Sequence, residues 1–247
     1  MSKSNKYYIG CSGFHYKSWR GPFYPEDMKS GDWLSYYAEK FNTVEINNSF
    51  YSLPAETTLQ SWDENTPDDF LFTFKGSRYI THTKKLKADD TLKNALDNFF
   101  ERVLTMQKKI GCILWQLPGN LHQNDEKLSS FIKLLPEEVQ HVIEFRHASW
   151  MTKEIMQILD ENQIGFCSLS SPISELNIIH SSNKIAYFRF HGENKKEWYH
   201  YKYSDEELKN WSKEIKKAGS EKVFAYFNND MEANAPLDAM ELNEKLK

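Results

Sequence analysis

Two periods of apolar residues take turns along this chain. Short runs that alternate every second residue are followed by longer stretches with apolar positions three and four apart, the signatures of strand and helix. The strand-like runs are 7–12 (YYIGCS), 43–47 (TVEIN), 70–75 (FLFTFK), 112–117 (CILWQL), 141–146 (HVIEFR), 165–168 (GFCS), 184–190 (KIAYFRF) and 222–227 (KVFAYF). Helices are predicted over 33–41, 57–64, 91–108, 124–135, 153–162 and 205–217, with Pro236 opening a last one. The helix over 91–108 is plainly amphipathic, with Leu92, Leu96, Phe99, Phe100 and Val103 on one face and Gly111 as its stop. Asp32 and Thr152 read as N-caps, and Ser204 with Glu207 as a capping box. The stretch SSPISELNIIHSSN has no clear period and is given one short helix.

Strands that alternate with helices imply a parallel sheet. Eight such units in 247 residues imply an α/β protein with one (β/α)8 TIM barrel spanning residues 1–247. The connections after strands are long (13–31, 76–90 and 192–203), whereas those before strands are short. Barrel enzymes carry their long loops, and their chemistry, on the C-terminal face. A doubly wound open sheet would show a glycine-rich phosphate turn after its first strand, and GCSGFHYKSWRG has neither the spacing nor the immediate helix.

A net charge of −4 and a pI near 6.1 argue against a general nucleic-acid or membrane-surface binder, though they leave room for a local basic pocket. Cys11, Cys112 and Cys167 fall in strands, with no CxxC or Cys/His spacing, and read as reduced core residues. No apolar run approaches a membrane span and the first strand follows MSKSNK directly, so the expected location is the cytoplasm. Nothing in the pattern selects an oligomeric state.

The motifs IGCSGFHYKSWRGPFYP, FNTVEINNSFYSLP, FLFTFKGSRYITH, LWQLP, EFRHASW, YFRFHG and FNND together resemble the YecE-like family, a domain-of-unknown-function family of TIM-barrel proteins. They run from residue 9 to about 235. The resemblance implies the barrel and little about a reaction. Likeness to sugar isomerases and apurinic-site endonucleases is a matter of fold alone.

Strand parity locates the candidate chemistry. Glu45 shares a face with Asn47, Thr73 with Lys75, Leu114 with Gln116, Glu144 with Arg146, Tyr187 with Arg189 and His191, and Tyr226 with Asn228, while the opposite parity is apolar. These residues should converge on one mouth, with His147 in the turn beyond Arg146. Charge at strand exits and not in strand middles points to a site, because buried charge costs several kcal/mol unless paired. The plain alternative for each is an internal ion pair. Arg146, Arg189 and Lys75 are read as binders of an anionic small molecule, Glu45 or Glu144 as general base, and His191 as acid or base, since an unperturbed imidazole titrates near neutral pH. Asn47, Gln116, His147 and Asn228 would add hydrogen bonds to the substrate. Trp19, Tyr51 and Trp150, with Phe23, Tyr24, Phe50, Trp198 and Tyr201, lie in exit loops, where they either pack the rim or stack on a ligand.

The expected function is thus an enzyme (a hydrolase, lyase or isomerase) acting by acid–base chemistry on a phosphorylated or other anionic metabolite. The rival is a protein that binds or processes single-stranded or damaged nucleic acid through the same basic, aromatic mouth. A glycosidase built on Glu45 and Glu144 is a minor reading. No metal or cofactor is expected, since HxxxH, HxH and DxD spacings are lacking and the Arg and Lys neighbours repel a cation.

Overall fold

The computed structural model describes residues 6–182, 184–197 and 199–247. Its eight strands are β1 (Tyr7–Cys11), β2 (Thr43–Ile46), β3 (Leu71–Lys75), β4 (Ile110–Gln116), β5 (His141–Glu144), β6 (Gly165–Ser170), β7 (Ile185–Phe190) and β8 (Lys222–Phe227). All pair in parallel, in the order β1-β8-β7-β6-β5-β4-β3-β2. A single parallel bridge, Ser12 to Glu45, brings the two ends of that row together, so the sheet forms a nearly closed barrel. The helices are α1 (Trp33–Lys40), α2 (Glu56–Glu64), α3 (Asp90–Val103), α4 (Asp125–Ile132), α5 (Lys153–Glu161), α6 (Asp205–Lys217) and α7 (Asn234–Leu246).

Alternation along each strand separates two cores. Tyr8, Leu71, Cys112, Leu114, Val142, Cys167, Leu169, Tyr187, Phe224 and Tyr226 fill one buried cluster, and the opposite parity packs under the helices in a second, larger one. Tyr226 reaches across the interior, its hydroxyl 2.6 Å from Thr43 Oγ1 and 2.8 Å from Thr73 Oγ1.

Three local expectations are corrected. Gly111 does not stop the long helix, which ends at Val103 and continues as a 3-10 turn to Lys109. Gly111 lies inside β4 as the extra residue of a bulge: Phe72 pairs with Ile110 and Thr73 with Cys112. A side chain there would run into the Phe224 ring, 2.8 Å from its Cβ. Asp32 ends a 3-10 turn and its side chain caps nothing, because its backbone is already helical rather than extended. The short helix expected between β6 and β7 is present as a 3-10 turn, Ser174–Leu176. The α7 helix begins at Asn234, two residues before Pro236. The caps by Thr152 and by Ser204 with Glu207 are present.

The seam between β1 and β2 depends on close backbone approach. The Tyr37 hydroxyl of α1 accepts from Cys11 N at 2.7 Å and donates to Thr43 O at 3.1 Å, clasping the two strands. A Cβ on Gly10 would sit 2.3 Å from Thr43 O and 2.7 Å from the Tyr37 hydroxyl, and a backbone oxygen cannot swing aside. Gly10→Ala should therefore lower stability by about 1–3 kcal/mol or more, as a reduced urea midpoint. Gly31→Ala, with nothing within 4 Å, is the control expected to stay near wild type.

Candidate functional site at the C-terminal mouth

The strand exits bring the charged residues together, as parity requires. Glu45 on β2 and Glu144 on β5 are completely buried, and Arg189 on β7 is 1% exposed. The Arg189 guanidinium spans both carboxylates. Its Nε and Nη2 donate to Glu45 Oε1 at 3.2 and 2.7 Å, and its Nη1 donates to Glu144 Oε2 at 2.6 Å. Glu45 also accepts from the Ser12 hydroxyl on Oε1 and the Tyr187 hydroxyl on Oε2, both at 2.6 Å. Glu144 Oε1 accepts from Gln116 Nε2 at 2.7 Å and from Arg146 Nε. Such a network repays the desolvation of its charges only because every member is paired at short range.

The electrostatics follow from this packing. Burial pushes the Glu144 carboxyl up, but Arg146 and Arg189 overrule it and hold it well below the usual carboxylate range. Tyr187 is pushed well up, by burial first and by Glu45 second, so its hydroxyl stays a donor. His191 is pushed well below its ordinary value by burial, then by Arg146 and Arg189. Its titration near neutral pH, assumed from the residue type, is not what a fully buried imidazole between cations shows: it stays neutral. Arg146 Nη2 lies 3.1 Å from His191 Nε2, and a guanidinium only donates, so Nε2 accepts. The ring proton then sits on Nδ1, 3.1 Å from the Asn228 amide, whose oxygen must face the ring.

Lys75 is set apart from this network. It ends β3 half-buried, its Nζ 4.5 Å from the centre of the Phe50 ring. The Ser49 hydroxyl lies 2.8 Å from Ile46 O and 2.7 Å from Lys75 O, which fixes the 3-10 turn carrying Phe50 against the end of β3. Among the described residues Lys75 Nζ makes no hydrogen bond or ion pair. Burial first, then Arg189, lower it from the ordinary lysine value to about 8, against the pull of Glu144 and Glu45.

The remaining predicted residues divide. Asn47 is half-buried beside Glu45, its Nδ2 3.4 Å from Ser12 O, and its Oδ1 is buried with no partner among the described residues. His147 accepts from Ser149 N at 3.1 Å through Nδ1, capping the turn Ala148–Trp150, and stacks on His122 with ring centres 3.9 Å apart. Tyr51 is 79% exposed. Trp19 and Trp150 present no ring to a ligand. Both are fully buried, their Nε1 groups bonded to Asp230 O and Leu121 O, and their rings stacked on Tyr16 and Phe145. Trp198 lies outside the described residues. Arg189, read as an anion binder, has no face left for one, because both sides of its fork meet carboxylates. Sequence reasoning missed Ser12, which shares the parity of Tyr8 and could have been found, and His122, which follows a Pro-Gly break and carries no periodic signal.

The chain matches the family model described as "Protein of unknown function DUF72" over residues 8–247. The UPF0759 protein YunF of Bacillus subtilis is 25% identical over an alignment covering 97% of this chain and 94% of that protein. The UPF0759 protein YecE of Escherichia coli K12 is 34% identical over 121 residues, which are 49% of this chain and 43% of that one. A crystal structure of a DUF72 family protein from Thermotoga maritima superposes with a TM-score of 0.85 at 28% identity, covering 98% of this chain and 99% of that chain. One from Enterococcus faecalis gives 0.79 at 19% identity over 97% and 95%, a likeness of fold.

Proposed function

The chain belongs to the DUF72 family, and because that membership brings a TIM barrel and no reaction, we propose from the chemistry of the mouth that the protein is an enzyme binding an anionic small molecule, phosphorylated or carboxylated, at Lys75 and Arg146 and acting on it by acid–base chemistry. The observation that carries this reading is the charge count. Glu45 and Glu144 are matched by Arg189 and Arg146, His191 is neutral, and Lys75 is the surplus cation, its Nζ in no ion pair with any described residue. A half-buried, unmatched positive charge is costly unless a ligand supplies the anion.

Roles follow from the contacts. Lys75, at about 8, exchanges its proton near neutral pH and is the group suited to proton transfer. Arg146, oriented by Glu144 and His191, holds the ligand's anionic group. Glu45 and Glu144, both committed to Arg189, position the cations and are poor bases. The same commitment weakens the glycosidase reading, since one guanidinium fills the space between the two acids. The nucleic-acid reading gains no support from Trp19 and Trp150, which are buried.

The test is a thermal-shift panel on wild type and Lys75→Met with inorganic phosphate, sugar phosphates, organic acids, nucleotides and short single-stranded oligonucleotides. Wild type should gain about 2.7 kcal/mol at 100 times the dissociation constant of a matching small anion, and Lys75→Met should lose most of that gain. Stabilisation by oligonucleotides alone, abolished by salt, would replace this reading with the nucleic-acid one.

A further inference from the structure

We propose that Lys75 is a covalent catalytic residue: its Nζ condenses with the carbonyl carbon of an anionic aldehyde or ketone to form an imine at the mouth. The inference rests on the anionic-ligand reading above and adds the reactive group of the substrate.

The argument is geometric first. An ordinary surface lysine keeps its ammonium hydrated, and an ordinary buried lysine is paired. Lys109 is such a case, with Nζ bonded to Asp63 O, Thr66 O and Thr66 Oγ1 at 2.6 to 3.2 Å. Lys75 has neither arrangement. Its Nζ lies over the face of Phe50 and makes no hydrogen bond or ion pair with any described residue. It stands at the C-terminal end of β3, the position from which barrel enzymes present reacting groups. An amine becomes a nucleophile when it is desolvated against an apolar wall or set beside other cations, and Lys75 has both conditions, with Phe50 as the wall and Arg189 and Arg146 as the cations. At pH 7 about a tenth of Lys75 is then free amine, against well under a thousandth of a solvated lysine. A lysine that only held an anion would gain from staying fully charged. This one is kept from doing so.

The step balances without an oxidant or reductant. The Nζ lone pair bonds to the carbonyl carbon and the C=O π pair moves to oxygen. That oxygen leaves as water with the two hydrogens of the amine, and protonation of the C=N nitrogen gives an iminium. Arg146 holds the substrate's phosphate or carboxylate, and the iminium restores the positive charge that Lys75 gives up as the free amine, which favours anionic carbonyl compounds over neutral ones.

Selective trapping decides it. Wild type is treated at pH 7 with limiting glyoxylate or pyridoxal phosphate, two anionic aldehydes of different size, and reduced with borohydride, and modified lysines are located by peptide mass mapping. Lys75 should be labelled at least tenfold faster than the exposed lysines, with a rate that rises through a midpoint near 8, and Lys75→Arg should remove this fast phase. Labelling of Lys75 no faster than the exposed lysines, with both reagents, overturns the proposal. Inorganic phosphate in the reaction separates the two readings. If it slows the labelling of Lys75, both stand. If Lys75 labels fast and phosphate has no effect, the nucleophile stands and the anion site fails. If phosphate stabilises the protein but Lys75 is not preferentially labelled, the anion site stands and the imine fails.

Discussion

Arg189→Met is expected to destabilise the protein by about 3–5 kcal/mol, the usual cost of removing one partner from a buried ion pair. Domains of ordinary stability hold about 5–15 kcal/mol in all, so this one change removes a large fraction of it. The reason is specific to the site. Methionine fills much of the arginine's volume, so packing changes little, but Glu45 and Glu144 are left in the barrel facing each other without the guanidinium that spans them. Ser12, Tyr187 and Gln116 still donate to them and Arg146 still pairs with Glu144, which limits the loss but leaves the Glu45 charge without a cation beside it. The melting temperature should fall by roughly 10 °C. The double variant Glu45→Gln, Arg189→Met should recover more than the single one, because Glu144 still pairs with Arg146 and no uncompensated carboxylate remains. A single variant that melts with the wild type would show that the network contributes nothing to folding.

Acid should destabilise the wild type well before Glu144 loses its charge. His191 and His141 are both neutral and buried. His141 donates from Nε2 to Pro136 O, accepts from Trp115 Nε1 on Nδ1, and is pushed down to about 4 by burial. Unfolded, each would protonate near 6.5. Below that pH the unfolded chain takes up protons that the fold refuses, so each imidazole removes up to about 1.4 kcal/mol of stability per pH unit until its own folded value is reached. Asp238 acts the other way. Burial raises it to about 6, against its contacts to Tyr203 N and Asn229 Nδ2, so below that pH the fold takes up a proton the unfolded chain does not. The two imidazoles together outweigh Asp238, so stability at pH 4.5 should lie below that at pH 7. Glu144 adds to it only at lower pH, because its stabilisation is present above the unfolded carboxyl value and is lost as pH falls through its depressed one. Urea unfolding at half-unit intervals checks this. His191→Asn should flatten the profile below pH 6.5 and Asp238→Asn should steepen it below 6. A wild-type profile flat from 7 to 4.5 would refute the neutrality assigned to both histidines.

Most of the barrel was legible because its interior and exterior impose opposite parities on every strand. Residues such as Glu45, Glu144, Arg189 and Tyr226 could be placed on one surface from alternation alone. Parity gives direction and not partnership. It put Arg189 at the mouth but could not tell a guanidinium aimed at a ligand from one clamped between two acids. Nor does residue type report burial, which is why His191 read as a titrating group. The loops carry no period at all. Trp19 and Trp150 looked alike from sequence to a stacking platform and to rim packing, and their indole N–H bonds to loop carbonyls decide for packing. The bulge at Gly111 escaped for a related reason: it departs from a repeat whose rule was the only signal available.

The way the sheet row begins and ends bears on how the molecule comes to exist. The first strand of the barrel pairs along its length with the last: Tyr7 lies opposite Val223 and Cys11 opposite Phe227, while its neighbour in sequence, β2, offers one bridge. The mouth shares this separation, since Glu45 waits for Arg189. Closing such distant contacts is entropically slow, and a half-made barrel exposes unpaired strand edges. Glu45 loses water and gains its cation in the same event, the arrival of β7, so closing the barrel and neutralising the mouth are one step.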